Sequence, residues 1–344
     1  MAEIKQTLTI AQIGVGNWGR ALLRNFSSLE AVRVKSLCDK NPEMLEKVRS
    51  EYPQAVFTSN HGEVLKDSEI DAIVIATPST EHSRLAKLAL EAGKHVFVEK
   101  PMSMTASSAR EIVDIASQKK KMVMVGHLLR YHPAYVRVAE IIESGELGDV
   151  YYMYSTRVNL GIYRDTENAL VSLAPHDIST AFMYVGNKVL SVSSTGSSYL
   201  KPGIEDVVFV DIEFDNSRMA HLHVSWLDPH KIRKTTIVGS KKMAVIDDME
   251  PSEKVKIYDK GFMIPKEYAS YGDALAIRGG SVVSPYIKMV EPLKLECQHF
   301  VDCIRNNTPP LTDAADGLRV VQVLEAAQTS LKQLGKRIFL DTMD

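Results

Sequence analysis

Cysteine is scarce in this chain of 344 residues: Cys38, Cys297 and Cys303 make an odd count with no C-x-x-C pair. That spacing argues against a disulfide framework. An excess of one charge is missing too. The formal net charge is −2, so no basic field favours nucleic acid and no cationic face favours a membrane surface. No apolar run approaches the ~20 residues of a membrane span. The opening MAEIKQTLTIAQIG runs its apolar part into a glycine turn without a small-residue cleavage site, unlike a signal peptide. These absences lead us to expect a cytoplasmic protein with neither nucleic acid nor membrane as a partner. With 45% hydrophobic and 24% charged residues the chain reads as globular, and 344 residues suit two domains better than one core.

What is present is a change of period. Up to about residue 125, continuous apolar runs alternate with amphipathic segments: LTIAQIG (8–14), VRVKSLCD (32–39), AVFT (55–58), AIVIAT (72–77), HVFVEK (95–100) and MVMVGH (122–127). Such runs predict strands buried on both faces, and the segments between them predict crossover helices. EHSRLAKLALEAG is one of these, with Leu85, Leu88, Ala89 and Ala92 on one face and a stop at Gly93. The fold class is therefore α/β: a doubly wound, parallel Rossmann sheet over residues 1–126. Beyond about residue 150 the period becomes two. Val208, Val210, Ile212 and Phe214 alternate with polar or exposed-type neighbours, then turn at Asp215-Asn216 into Leu222, Val224 and Trp226. We expect residues 127–344 to form an α+β domain with a large, mainly antiparallel sheet. Its open face is expected to join copies into a homodimer or homotetramer.

IGVGNWGR places Gly14, Gly16 and Gly19 in G-x-G-x-x-G spacing after the first strand and at the head of a helix. Glycines there permit a tight turn and close backbone approach, and the helix N-terminus faces a pyrophosphate. Asn17 and Trp18 fill the loop between them. Asp39 ends the second strand, where a carboxylate accepts both ribose hydroxyls and repels a 2′-phosphate. The expected cofactor is therefore NAD rather than NADP, although Lys40 adjoins Asp39. A purely structural glycine turn with an incidental aspartate is the other reading. Thr77, Pro78 and His82 follow the fourth strand in ATPSTEH, and Glu99, Lys100 and Pro101 end the fifth. Ligands bind at this edge of open α/β sheets, so these residues complete the expected cofactor site. A solvated strand end with a turn proline would explain Glu99-Lys100-Pro101 without function.

Taken together, G-x-G-x-x-G, ATPSTEH, VEKP and a second domain with a large sheet resemble the Gfo/Idh/MocA family of NAD(P)-dependent oxidoreductases. The resemblance covers essentially the whole chain. It implies that Lys100 reaches the reacting hydroxyl of a sugar or polyol, that Glu99 lies beside the nicotinamide ribose, and that Pro101 follows a cis bond. It also implies a second catalytic element at a helix start, often D-x-x-x-H. SLAPHDIS supplies His176, with Ser172 where the family often has Asp and with Asp177 next door. TRVNLGIYRDTENALVSLAPHDIS narrows the resemblance to the UDP-N-acetylglucosamine 3-dehydrogenase branch, which oxidises C3 of a nucleotide-linked sugar.

The expected chemistry is oxidation of a secondary hydroxyl, with Lys100 and His176 as the catalytic residues on one substrate oxygen. The sequence leaves open which of the two is the base. Arg130, Tyr131, Arg157, Asn159, Tyr163 and Asn168 are the candidates for holding substrate, since forked arginines suit a diphosphate. Each arginine has an ion-pair reading as well. His221 and His223 lack a clear third ligand, so no metal is expected. A dehydrogenase of free polyols or aldoses, and a regulatory protein that binds NAD without turnover, are the competing functions.

Overall fold

The computed structural model describes residues 7–161, 164–263 and 276–340. The apolar runs of the first 126 residues become β1 (Leu8–Ile13), β2 (Val32–Cys38), β3 (Val56–Thr58), β4 (Ala72–Ile75), β5 (His95–Glu99) and β6 (Val123–Gly126). They pair in parallel in the order β3-β2-β1-β4-β5-β6. The crossovers are α1 (Asn17–Ser27), α2 (Pro42–Arg49), α3 (His61–Lys66), α4 (Ser79–Glu91) and α5 (Ala106–Lys119). Burial on both faces explains the unbroken apolar runs. Ile73, Ile75, Val96 and Val98 face one core with Leu85, Ala89 and Leu90 of α4. Their neighbours Val74 and Phe97 face a second core with Phe26 of α1. α4 stops where Gly93 takes φ +74°, a conformation that disfavours other residues.

The chain divides into two compact units, Met1–Tyr131 with Val290–Glu325, and His132–Met289 with Ala326–Asp344. The expected division at 126/127 left 290–325 entirely in the second domain. Instead, the core of the first unit contains Leu293, Cys297, Phe300 and Val301. Phe300 sets its ring edge-on to Phe26 at 6.1 Å and to Phe97 at 5.7 Å. Sequence order hid this because an amphipathic helix shows that it has an apolar face, but not which sheet covers it.

The second unit begins with α6 (Pro133–Glu143), β7 (Val150–Val158) and α7 (Ala169–Tyr184). The strands β8 (Val189–Ser197), β9 (Val207–Phe214), β10 (Met219–Ser225), β11 (Ile232–Gly239), β12 (Met243–Asp247) and β13 (Val255–Tyr258) follow. A short pair, β14 (Gly261–Met263) and β15 (Ala276–Arg278), precedes β16 (Val282–Val283). The chain closes with α8 (Pro292–Asn306), α9 (Ala314–Lys332) and β17 (Ile338–Phe339). The nine-stranded sheet has the order β16-β13-β12-β11-β7-β10-β9-β8-β17. All its pairings are antiparallel except β7 with β10. The β9–β10 hairpin has the expected alternation, with Val208, Val210, Ile212 and Phe214 inward and a turn at Asn216 with φ +56°. α7 packs against β7, β9 and β10. Tyr152, Tyr154 and Phe209 stay exposed, and His223 stacks on the Phe209 ring at 4.4 Å.

Phe300 provides a test of this assignment. Phe300→Ala should lower the unfolding free energy by ~3–5 kcal/mol, the usual cost of emptying a buried aromatic site. Urea denaturation measures it. A change below ~1 kcal/mol would remove α8 from the first core.

Candidate functional site

All six parallel strands end on one edge, and the strand order reverses between β1 and β4, the position where open α/β sheets hold ligands. At that point the chain turns through Gly14 with φ +97°. A Cβ on Gly14 would lie 2.4 Å from the Ala76 carbonyl oxygen, and one on Gly19 would lie 2.3 Å from the Gly14 carbonyl oxygen. Both glycines are therefore required by the protein's own packing. Gly16 is different: a Cβ there would meet nothing within 4 Å. It is the N-cap of α1, and no side chain caps the first backbone N–H groups of the helix. That combination fits a pyrophosphate that must approach the backbone closely.

Gln12, fully buried on β1, holds this loop from beneath. Its Nε2 donates to the carbonyl oxygens of Gly14 and Gly19, at 2.7 Å each. A polar residue inside an apolar strand was the available signal for it, and the sequence reading passed over it. Asp39 accepts from the Val15 N–H on Oδ2 and from the Asn41 N–H on Oδ1, at 2.9 Å each. Each oxygen keeps a second lone pair, so the carboxylate is fixed in place and still able to accept ribose hydroxyls. Asn17 accepts from Arg20 at 3.0 Å.

The neighbouring part of this edge is built from the ends of β4 and β5. His82, 2% exposed, sets its two ring nitrogens 2.8 Å from the carbonyl oxygens of Thr77 and Pro101. It ties two strand ends together and is not itself presented to a ligand. Pro78 is the N-cap of α4. The Lys100-Pro101 bond is cis. Trp18, 45% exposed, donates its indole N–H to Glu99 Oε1 at 2.6 Å. Glu99 is buried, and burial pushes its carboxyl up to about 7 against the opposing pull of the Trp18 N–H and the Lys100 charge. Gly126 pairs with Glu99 across β5 and β6, and a Cβ there would lie 2.8 Å from Glu99 Oε1. Glu296 on α8 is fully buried as well, and burial followed by the Glu99 charge pushes its carboxyl well above the usual range.

The substrate candidates fare differently. Arg157 is 7% exposed and forms a bidentate ion pair with Asp177, at 2.6 and 3.1 Å. Asn159 accepts from Arg233 at 2.5 Å. Asn168 caps α7 through the Val171 N–H and donates to Glu205 and Gln328. Tyr131 lies in the core of the first unit, its hydroxyl 3.4 Å from Thr312. Arg130 lies 3.5 Å from Asp316. Tyr163 falls outside the described residues. Each described candidate thus has a structural partner, which the residue types alone did not reveal. His176 was expected at a helix start, yet α7 begins at Ala169, and His176 follows Pro175 inside the helix. Asp177 is committed to Arg157 and does not replace the missing carboxylate at Ser172. Among the described residues no group of three or more His, Cys, Asp or Glu is placed to hold a metal ion, and no helix is long and apolar enough to cross a membrane.

Comparison with known proteins adds to this geometry. Residues 8–127 match the oxidoreductase family with an NAD-binding Rossmann fold, and residues 135–245 match the Gfo/Idh/MocA C-terminal domain. The NAD(+)-dependent scyllo-inositol 2-dehydrogenase of Bacillus subtilis is 26% identical over 96% of both chains. UDP-N-acetylglucosamine 3-dehydrogenase of Acidithiobacillus ferrooxidans is 23% identical over 90% of this chain and 92% of its own. Levoglucosan dehydrogenase, solved with NADH and L-sorbose, superposes with a TM-score of 0.83 at 20% identity, over 98% of this chain and 99% of that one.

Glu99 makes the edge sensitive to pH. Its carboxyl is raised in the folded protein from 4.5 to about 7. The stability it lends is fully present below about pH 4.5 and is lost as the pH rises through about 7. Glu99→Gln still offers an oxygen to Trp18 and cannot ionise. Its melting temperature should fall less than the parent's across that interval, as read by calorimetry. Parallel slopes would show that Glu99 titrates normally.

Proposed function

The chain belongs to the Gfo/Idh/MocA family of oxidoreductases, and from that premise we propose that it oxidises a secondary hydroxyl of a sugar to a ketone. The observation that carries this reading is the buried Glu99 followed by Lys100 at the carboxyl edge of β5, on the same edge as an open Gly16 and a pinned Asp39. NAD, when bound, would supply the hydride acceptor for the carbinol carbon. The chain's own groups do the rest. Asp39 holds the adenosine ribose and disfavours a 2′-phosphate, so NAD is preferred to NADP. Lys100 stabilises the oxygen as its proton leaves. His176 is the second proton-transfer group, a role open to an imidazole because one ring nitrogen can take a proton.

The first substrate to test is a UDP-N-acetylhexosamine, oxidised at C3, because the TRVNLGIYRDTENALVSLAPHDIS stretch resembles that branch. A free polyol or aldose is the second, favoured by the Arg157–Asp177 pair, which occupies a guanidinium otherwise suited to a diphosphate. Reduction of NAD and of NADP should be assayed with UDP-N-acetylglucosamine, inositol and glucose. Turnover with inositol alone would exclude the nucleotide sugar, and equal use of both cofactors would remove the role given to Asp39.

Lys100→Met keeps most of the side chain's bulk and loses its charge. Turnover should fall at least about a hundredfold while NAD affinity is kept, the usual scale for losing a positioned proton-transfer or oxyanion group. Turnover near the original rate would reduce Lys100 to a strand end.

We also place a contact between copies of the chain on the open face of the large sheet, where Tyr152, Tyr154 and Phe209 are exposed. Phe209→Glu should shift the sedimentation coefficient towards that of a single chain. A parent protein that already sediments as one chain would refute this.

A further inference from the structure

The residue just after β6, His127, is one that the reaction above does not use. β5 and β6 run parallel with Glu99 opposite Gly126. The next residues in that register are Lys100 and His127. His127 is 1% exposed, and neither ring nitrogen has a hydrogen-bond partner among the described residues. A buried polar atom left unpaired is costly, so it calls for an explanation. Three charged groups act on His127: Asp316 of α9, Arg130 of the turn after β6, and Lys100. Asp316 is itself 3% exposed. Its Oδ1 receives Arg130 and Arg319, and its Oδ2 has no hydrogen-bond partner among the described residues.

We propose that His127 is a positioning residue for Lys100: a small side-chain movement brings the unpaired ring nitrogens into bonds, one accepting an N–H from the lysine ammonium and the other donating to the unpaired Asp316 Oδ2. The carboxylate selects the tautomer, and the tautomer presents a lone pair to the lysine. One of the three lysine N–H groups is then held, which directs the others towards the substrate oxygen. Burial, the largest effect on this imidazole, lowers it to about 4. It is therefore neutral where the lysine works and adds no competing positive charge. The arrangement would supply in the first unit a carboxylate–histidine pair, where α7 has Ser172 four residues before His176. The proposal rests on Lys100 being the catalytic lysine.

The direct test needs no substrate. In protein labelled with 15N-histidine, the His127 ring signals are identified by their disappearance in His127→Gln. Lys100→Met should shift the signal of the nitrogen that accepts from the lysine. Unmoved ring signals in Lys100→Met would overturn the proposal. Kinetics form the second arm, using whichever substrate the parent enzyme oxidises. His127→Phe should keep NAD affinity, because it retains the bulk of the buried ring and removes only its two nitrogens. It should lower kcat at least about tenfold, since misplacing a reacting group by an ångström is costly, and shift the pH profile of kcat. His127→Gln, with an acceptor near one ring nitrogen, should recover part of the rate. An unchanged kcat and pH profile in His127→Phe would also overturn the proposal. Should Lys100→Met retain full turnover, Lys100 loses its catalytic role, while a shifted His127 signal would still establish the contact.

Discussion

A parallel sheet buried on both faces leaves its strands one place to carry chemistry, the carboxyl edge. In the first unit Ile73, Ile75, Val96 and Val98 commit one face to packing, and Val74 and Phe97 commit the other. Polar function must therefore begin where the apolar runs stop. Gly14, Asp39, Thr77, Glu99 and Gly126 all stand at such stops. The edge is crowded, which explains its residue types. Gly14 and Gly19 leave no space for a Cβ, and Gly126 makes space for the Glu99 carboxyl. Gln12 enters the apolar strand only because both loop carbonyls need a donor from below.

The second unit solves a different problem. Its sheet is alternating, so one polar residue on the wrong phase of a strand lands inside. In β7, Met153 and Ser155 point inward, and Arg157 continues that phase. Desolvating a guanidinium is tolerable only with a carboxylate in bidentate contact, and Asp177 supplies it. Asp206 is handled similarly: fully buried, it accepts from Trp226 Nε1 and from the N–H groups of Tyr199 and Leu200. These groups fix the fold around α7.

Two kinds of feature were legible in the sequence. Periodicity located the strands, because period one and period two follow directly from two-sided and one-sided burial. Backbone demands located the glycine loop. Two other kinds were hidden. The partner of an amphipathic helix is absent from its own periodicity, which is why α8 was placed in the wrong unit. The fate of a lone polar residue depends on distant chain, so Arg157, Asn159 and Asn168 read as ligand holders and proved to have protein partners. The phase of Arg157 with Met153 was a usable sign, and weighing it would have turned that residue inward. His127 gave a weaker sign: it ends an apolar strand, just as Glu99-Lys100 ends its neighbour, but only the register shows that the two ends lie side by side.

A histidine in a proton-handling site depends on what its second nitrogen holds, because that partner selects the tautomer. On α7 the position four before His176 is Ser172, and the helix's one carboxylate, Asp177, faces Arg157. The helix therefore offers His176 no carboxylate of its own. On the parallel edge, in contrast, Asp316 is held at one oxygen by two arginines while its charge acts on His127. The charges of Asp316, Arg130 and Lys100 thus all act on His127.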